Sequence, residues 1–86
     1  MTSGRGITHA EQVAERLDRL HGVQAWVGLP HSSRGVEPRF VHHPQASLPV
    51  IEAEGVRIRV LAGTIASAAS PVATFQELVY LDIQAD

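Results

Sequence analysis

The chain has 86 residues, fewer than the roughly 100–200 of a typical domain, so one small domain is the most it can form. Hydrophobic residues make up 44% and charged residues 19%, which excludes a disordered chain, and the lack of cysteine excludes disulfides and thiolate metal sites. The net charge of −2 gives none of the positive field that nucleic-acid binding relies on.

The first periodic segment is helical. Between residues 10 and 20 apolar residues recur every three or four positions, and charged residues take the other face. Gly22 follows at a position where a helix can end. This pattern predicts one short amphipathic helix near residues 11–20.

After Gly22 the pattern is that of strands and turns. The clearest strand covers residues 56–61, where apolar residues alternate with Arg57 and Arg59. Further strands are predicted over residues 23–29, 36–43, 50–51, 72–75 and 78–84, with residues 52–55 as the turn of a hairpin. Short strands separated by turns are typical of an antiparallel sandwich or barrel, so the predicted fold class is all-β.

His9 and Glu11 are the candidate metal ligands. On a strand, residues two apart project from the same face, so an imidazole and a carboxylate could meet on one ion. Such nitrogen and oxygen ligands suit non-haem Fe(II), Mn, Ni or Zn. The competing interpretation is a surface histidine beside an unrelated glutamate, because a His-x-Glu spacing alone is a weak motif.

Arg57 and Arg59 are predicted to share one face of their strand. They could form a patch for an anion or an acidic partner. The interpretation we favour is a solvated face that also protects the strand against edge pairing.

Several stretches of the sequence are specific when taken together and in order. The first contains Gly-Arg-Gly-Ile-Thr-His-Ala-Glu at residues 4–11, and another reads Gly-Val-Arg-Ile-Arg-Val-Leu-Ala-Gly at residues 55–63. The remaining stretches lie at residues 20–30, 36–40, 48–52, 70–75 and 80–83. The series resembles the middle of a pirin, a bicupin family of the cupin superfamily, over nearly the whole chain.

The resemblance implies a fold and a metal. Pirins fold as two stacked jelly-roll β-sandwiches, and the N-terminal one holds iron through three histidines and a glutamate. The third histidine and the glutamate map onto His9 and Glu11, whereas the strand with the first two is absent here. Residues 1–86 are therefore expected to form a single small domain, a partial cupin that joins the end of the first sandwich to the start of the second.

The same resemblance leaves three functional hypotheses. Some pirins act as quercetin 2,3-dioxygenases, and others are regulators that act through protein contacts. We expect a non-catalytic binding or regulatory module whose metal site is vestigial, with Fe(II) bound weakly or not at all. The alternatives are an iron-dependent dioxygenase whose site is completed by oligomerisation, and a truncated product without activity of its own.

The expected partners follow from the partial fold. A sheet that lacks strands on one side exposes backbone donors, so a homodimer is predicted, with residues 56–61 and 78–84 closest to its interface. A regulatory protein partner is also possible under the resemblance. Neither nucleic acid nor a membrane is expected as a partner, and a cytoplasmic location is predicted.

Overall fold

The computed structural model describes residues 1–13, 16 and 18–86, and its contacts divide the chain into two compact units, Met1–Phe40 and Val41–Asp86. The named strands all belong to the second unit: β1 Val50–Ala53, β2 Val56–Ala62, β3 Thr64–Ile65, β4 Ala68–Ala69 and β5 Tyr80–Ala85. Each unit also contains one single-turn 3-10 helix, at His31–Ser33 and at Gln45–Ser47.

The main sheet has three antiparallel strands in the order β1-β2-β5. The hairpin of β1 and β2 sets Ile51 opposite Ile58, and β5 sets Ile83 opposite the same residue from the other side. Strand β2 is therefore central, because both of its edges are paired. The register of β2 with β5 shifts at a bulge between Val60 and Ala62.

The two faces of this sheet differ in chemistry, because opposed residues share a face and side chains alternate along each strand. One face is entirely apolar: Ile51, Ala53, Val56, Ile58, Val60, Leu81, Ile83 and Ala85. The other carries Val50, Glu52, Arg57, Arg59, Asp82 and Gln84. Cover on the apolar face is uneven, since Val60 is fully buried whereas Ile83 is 57% exposed.

A second, two-stranded sheet of β3 and β4 follows directly after β2. Gly63 separates the two sheets with a φ of +81°, and a Cβ there would overlap the carbonyl oxygen of Leu78. The β3–β4 turn places Ala66 at a φ of +52°, the left-handed region that L-residues avoid. Ser70 ties the end of this hairpin to β2, because its hydroxyl donates to Leu61 O at 2.9 Å.

Both arginines of β2 are held by neighbours within the second unit. Arg57 lies opposite Glu52, and Arg57 Nε is 3.5 Å from Glu52 Oε1. With the Gln45 amide turned so that its oxygen faces Arg59, that oxygen accepts from both terminal guanidinium nitrogens, at 2.7 and 3.0 Å. The two side chains therefore have partners inside the unit. Because both edges of β2 are paired, these arginines do not protect a strand edge, and that part of the favoured interpretation is wrong.

The all-β antiparallel prediction is confirmed, as are the hairpin at residues 50–61 and the strand near residues 78–84. The predicted strands at residues 23–29 and 72–75 are wrong, because alternation alone makes no strand where no ladder includes those residues. The strand predicted over residues 36–43 does not form. Within that range Arg39 alone makes a β-bridge, an isolated one to Thr2.

The predicted helix near residues 11–20 includes residues 14, 15 and 17, which lie outside the described residues; the described remainder of that range is not helical. The assignment of residues 1–86 to one small domain stays a prediction. In the part of the chain that the structure describes, no helix has the length and apolar character needed to cross a membrane.

The strained turn yields a stability prediction. Replacing Ala66 with glycine removes the Cβ that disfavours a positive φ, so Ala66→Gly should raise the free energy of unfolding by about 1 kcal/mol. Ala69→Gly is the matched control, since Ala69 is equally exposed but lies on β4 without a positive φ. It should lower stability by about 0.5–1 kcal/mol. Urea unfolding followed by circular dichroism measures both; equal effects would contradict the strain.

Candidate metal centre

The segment before His9 is anchored by backbone pairing inside the first unit. Thr2 and Arg39 exchange hydrogen bonds, with Thr2 N–H to Arg39 O at 2.7 Å and Arg39 N–H to Thr2 O at 2.9 Å. Arg5 N–H donates to Val36 O at 3.1 Å, and the Arg5 side chain pairs with Glu37 at 2.6 Å. These contacts fix the chain up to Arg5, four positions before His9.

Gly4 is required by this close approach. Its φ is +49°, and a Cβ built on it would overlap the carbonyl oxygen of Val36, the group that accepts from Arg5 N–H. The Gly-Arg-Gly stretch therefore acts as a packed turn. The glycine itself signals a turn, because glycine adopts a positive φ without strain. Its contact with Val36 could not be predicted from the sequence, because the two residues lie far apart along the chain.

His9 and Glu11 do come together in the structure. His9 Nε2 lies 3.8 Å from Glu11 Oε1, with the His9 side chain 34% exposed and the Glu11 side chain 75% exposed. The same carboxylate oxygen accepts a long hydrogen bond of 3.5 Å from Gln24 Nε2. Sequence reasoning missed Gln24, because the contact joins residues 13 apart along the chain.

The pair fits a divalent metal in donor type and in spacing. An imidazole nitrogen and a carboxylate oxygen suit iron, manganese, nickel or zinc. Bonds of about 2 Å bring two donors on one ion to within roughly 3–4 Å of each other, and His9 Nε2 and Glu11 Oε1 are 3.8 Å apart. Over the described residues, no group of three or more His, Asp or Glu side chains is placed to hold an ion. The pair is thus two members of a possible ligand set.

Comparison with known proteins gives consistent relatives. A pirin-like protein of Caulobacter vibrioides is 40% identical over 85 residues, which cover 94% of this chain and 30% of that protein. Human pirin is 36% identical over 86 residues, which cover 100% of this chain and 29% of that protein. Along nearly its whole length the chain is similar to pirins. It spans about three tenths of the length of the curated relatives it matches.

One of these similar proteins carries an enzymatic name. A Pseudomonas aeruginosa protein, named "Putative quercetin 2,3-dioxygenase", is 35% identical over 83 residues, which cover 96% of this chain and 26% of that protein. No family model matches the chain, and no solved structure matches it. The antiparallel strands of the second unit fit the partial cupin β-sandwich that the pirin resemblance implies.

The anchoring turn can be tested with a glycine pair. Gly4→Ala should abolish the amide protection of Thr2 and Arg5 in hydrogen exchange, because the added Cβ displaces the Val36 carbonyl. The cost should exceed about 1 kcal/mol, the usual penalty for a left-handed L-residue. Gly22→Ala is the control, since Gly22 faces open space without a positive φ. Protection that survives Gly4→Ala as well as Gly22→Ala would refute this role for Gly4.

Proposed function

We propose that this pirin-like chain is a non-catalytic binding or regulatory module, and that His9 and Glu11 are the retained part of a vestigial metal site. The observation that carries the proposal is the exposed pair, with donors 3.8 Å apart and Glu11 75% exposed. An exposed carboxylate keeps its hydration, so a metal gains little by replacing that water. We therefore expect Fe(II) to bind weakly, and a regulatory protein partner to be the more important ligand.

Two donors also favour binding over oxygen chemistry. Oxygen activation at non-haem iron takes about three protein ligands that hold the metal while other positions stay open. When bound, iron would supply sites for an oxygen-containing substrate and for O₂. Here His9 would contribute its Nε2 and Glu11 its carboxylate, while Gln24 would restrain the same carboxylate oxygen. The cytoplasmic location stays a prediction.

The second candidate is a quercetinase-like dioxygenase. It is favoured by the 35% identity to the Pseudomonas aeruginosa protein that carries that name. In this version a homodimer would bring two copies of His9 and Glu11 to one ion. That ligand set, two histidines and two glutamates, carries one more negative charge than the three histidines and one glutamate implied by the resemblance.

Anaerobic Fe(II) titration with calorimetry tests the proposed ligands. We expect weak, saturable binding that His9→Ala and Glu11→Ala each abolish, because each removes one of the two donors that the described residues bring together. His31→Ala is the control, since His31 lies in the turn at His31–Ser33. Binding that is lost in the control as well, or retained in both ligand variants, would contradict the assignment.

The same samples separate the two functions. Quercetin and air-saturated buffer are added to the iron-loaded protein, and oxygen uptake is followed. The proposed module consumes no oxygen above the rate of free Fe(II). Turnover that disappears in both His9→Ala and Glu11→Ala would instead establish the dioxygenase and overturn the non-catalytic proposal.

A further inference from the structure

Strand β5 forms an edge of the main sheet, and the hydrogen bonds show which of its backbone groups are unpaired by β2. Asp86 N–H donates to Gly55 O at 3.0 Å, so the backbone of Asp86 faces toward β2. Because this direction alternates along an antiparallel strand, Leu81, Ile83 and Ala85 turn their N–H and C=O groups away from β2.

An independent hydrogen bond on the other side of β2 supports this phase. Val60 N–H donates to Pro49 O at 2.9 Å, so the Val60 backbone faces β1. Val60 lies opposite Leu81. Because the Val60 backbone bonds to β1, Val60 and Leu81 form a non-hydrogen-bonded pair, and the Leu81 backbone faces away from β2. The outward groups of Leu81, Ile83 and Ala85 are consequently a row of donors and acceptors along the sheet edge.

This edge lacks the usual protection against strand pairing. Edge strands are protected by proline, by lysine or other charges, or by being short. β5 has six residues with neither proline nor a basic residue, and its one charge is Asp82. The opposite edge, β1, has four residues, follows Pro49 and carries Glu52. β5 is therefore the edge of this sheet that is open to another strand.

We propose that β5 pairs antiparallel with β5 of a second copy of this chain, about a twofold axis at Ile83, so that one sheet runs through both copies. The outward residues are symmetric about Ile83. Ile83 then faces Ile83, and Leu81 faces Ala85 twice, which makes about six backbone hydrogen bonds. This interface uses only the second unit and does not rest on the metal site or on the proposed function.

Charge selects this register from its neighbours. A twofold axis at Asp82 would set two carboxylates directly opposite each other, which is unfavourable. An axis at Gln84 would set Asp82 opposite Asp86, which again places two carboxylates directly opposite each other. With the axis at Ile83, half-buried Asp82 faces the amide of Gln84 in the second copy, once on each side. The 57% exposed Ile83 side chains also meet on the apolar face.

The pairing revises the expected interface. Residues 78–84 were predicted to lie near it together with residues 56–61, and β5 keeps that place. Strand β2 is flanked by β1 and β5, so residues 56–61 have no free edge to offer. They remain one strand away from the twofold axis.

Single cysteines test the register, because the natural chain contains none. In Ile83→Cys the two new residues would face each other with Cα atoms about 5.5 Å apart, within the range a disulfide spans. Under mild oxidation this variant should become a covalent dimer. Ala85→Cys is the matched control on the same edge and face. Its two cysteines would lie about 13 Å apart along the strands and should not cross-link.

A mixture of two cysteine variants gives a second cross-link that the proposed register predicts. Leu81→Cys mixed with Ala85→Cys should give the mixed cross-link, while Leu81→Cys alone should give none. Cross-linking of Leu81→Cys alone would overturn the axis at Ile83. A wild-type chain that light scattering shows to be monomeric at 100 µM, or Ile83→Cys that cross-links no better than Ala85→Cys, would overturn the pairing itself.

Discussion

The antiparallel pairing of β2 with β5 is the contact on which the second unit depends. It joins residues that lie 18 to 29 positions apart and aligns Val60 with Leu81 and Ile58 with Ile83. The local β1–β2 hairpin has only two strands, and an isolated two-stranded hairpin is marginal in water. Adding β5 makes a three-stranded sheet with a wholly apolar face, on which Val60 is fully buried.

The limited cover of this sheet also explains why the second unit exposes hydrophobic surface to which a second copy could bind. Beyond Val60 and Ala62, no apolar residue in the part of the chain described is classed as buried, and Ile83, Val79 and Val50 are among the exposed ones. A sheet with one apolar face gains stability when that face and its edges are covered. The His9–Glu11 pair belongs to the other unit, so the proposed metal binding there and the proposed assembly through β5 can be tested separately.

Features that depend on residues close together along the chain could be predicted from the sequence. The hairpin follows from the alternation of residues 56–61 and the turn before it. His9 and Glu11 come together although residues 9–11 form no strand, so the strand geometry invoked for their spacing of two is not the reason. Residues 23–29 show comparable alternation, yet a strand also needs a partner ladder, which alternation does not encode. The contacts of Gln24 with Glu11 and of Gln45 with Arg59 join residues 13 and 14 apart, so no periodicity could reveal them.

The central claim is that the three-stranded sheet is stabilised by a second copy of the chain. The most direct test is the urea midpoint of the wild-type chain, measured by circular dichroism between about 1 and 100 µM protein. A dimer that dissociates on unfolding gains stability by mass action, so the account predicts a midpoint that rises with concentration. A midpoint that stays constant over this range would contradict it.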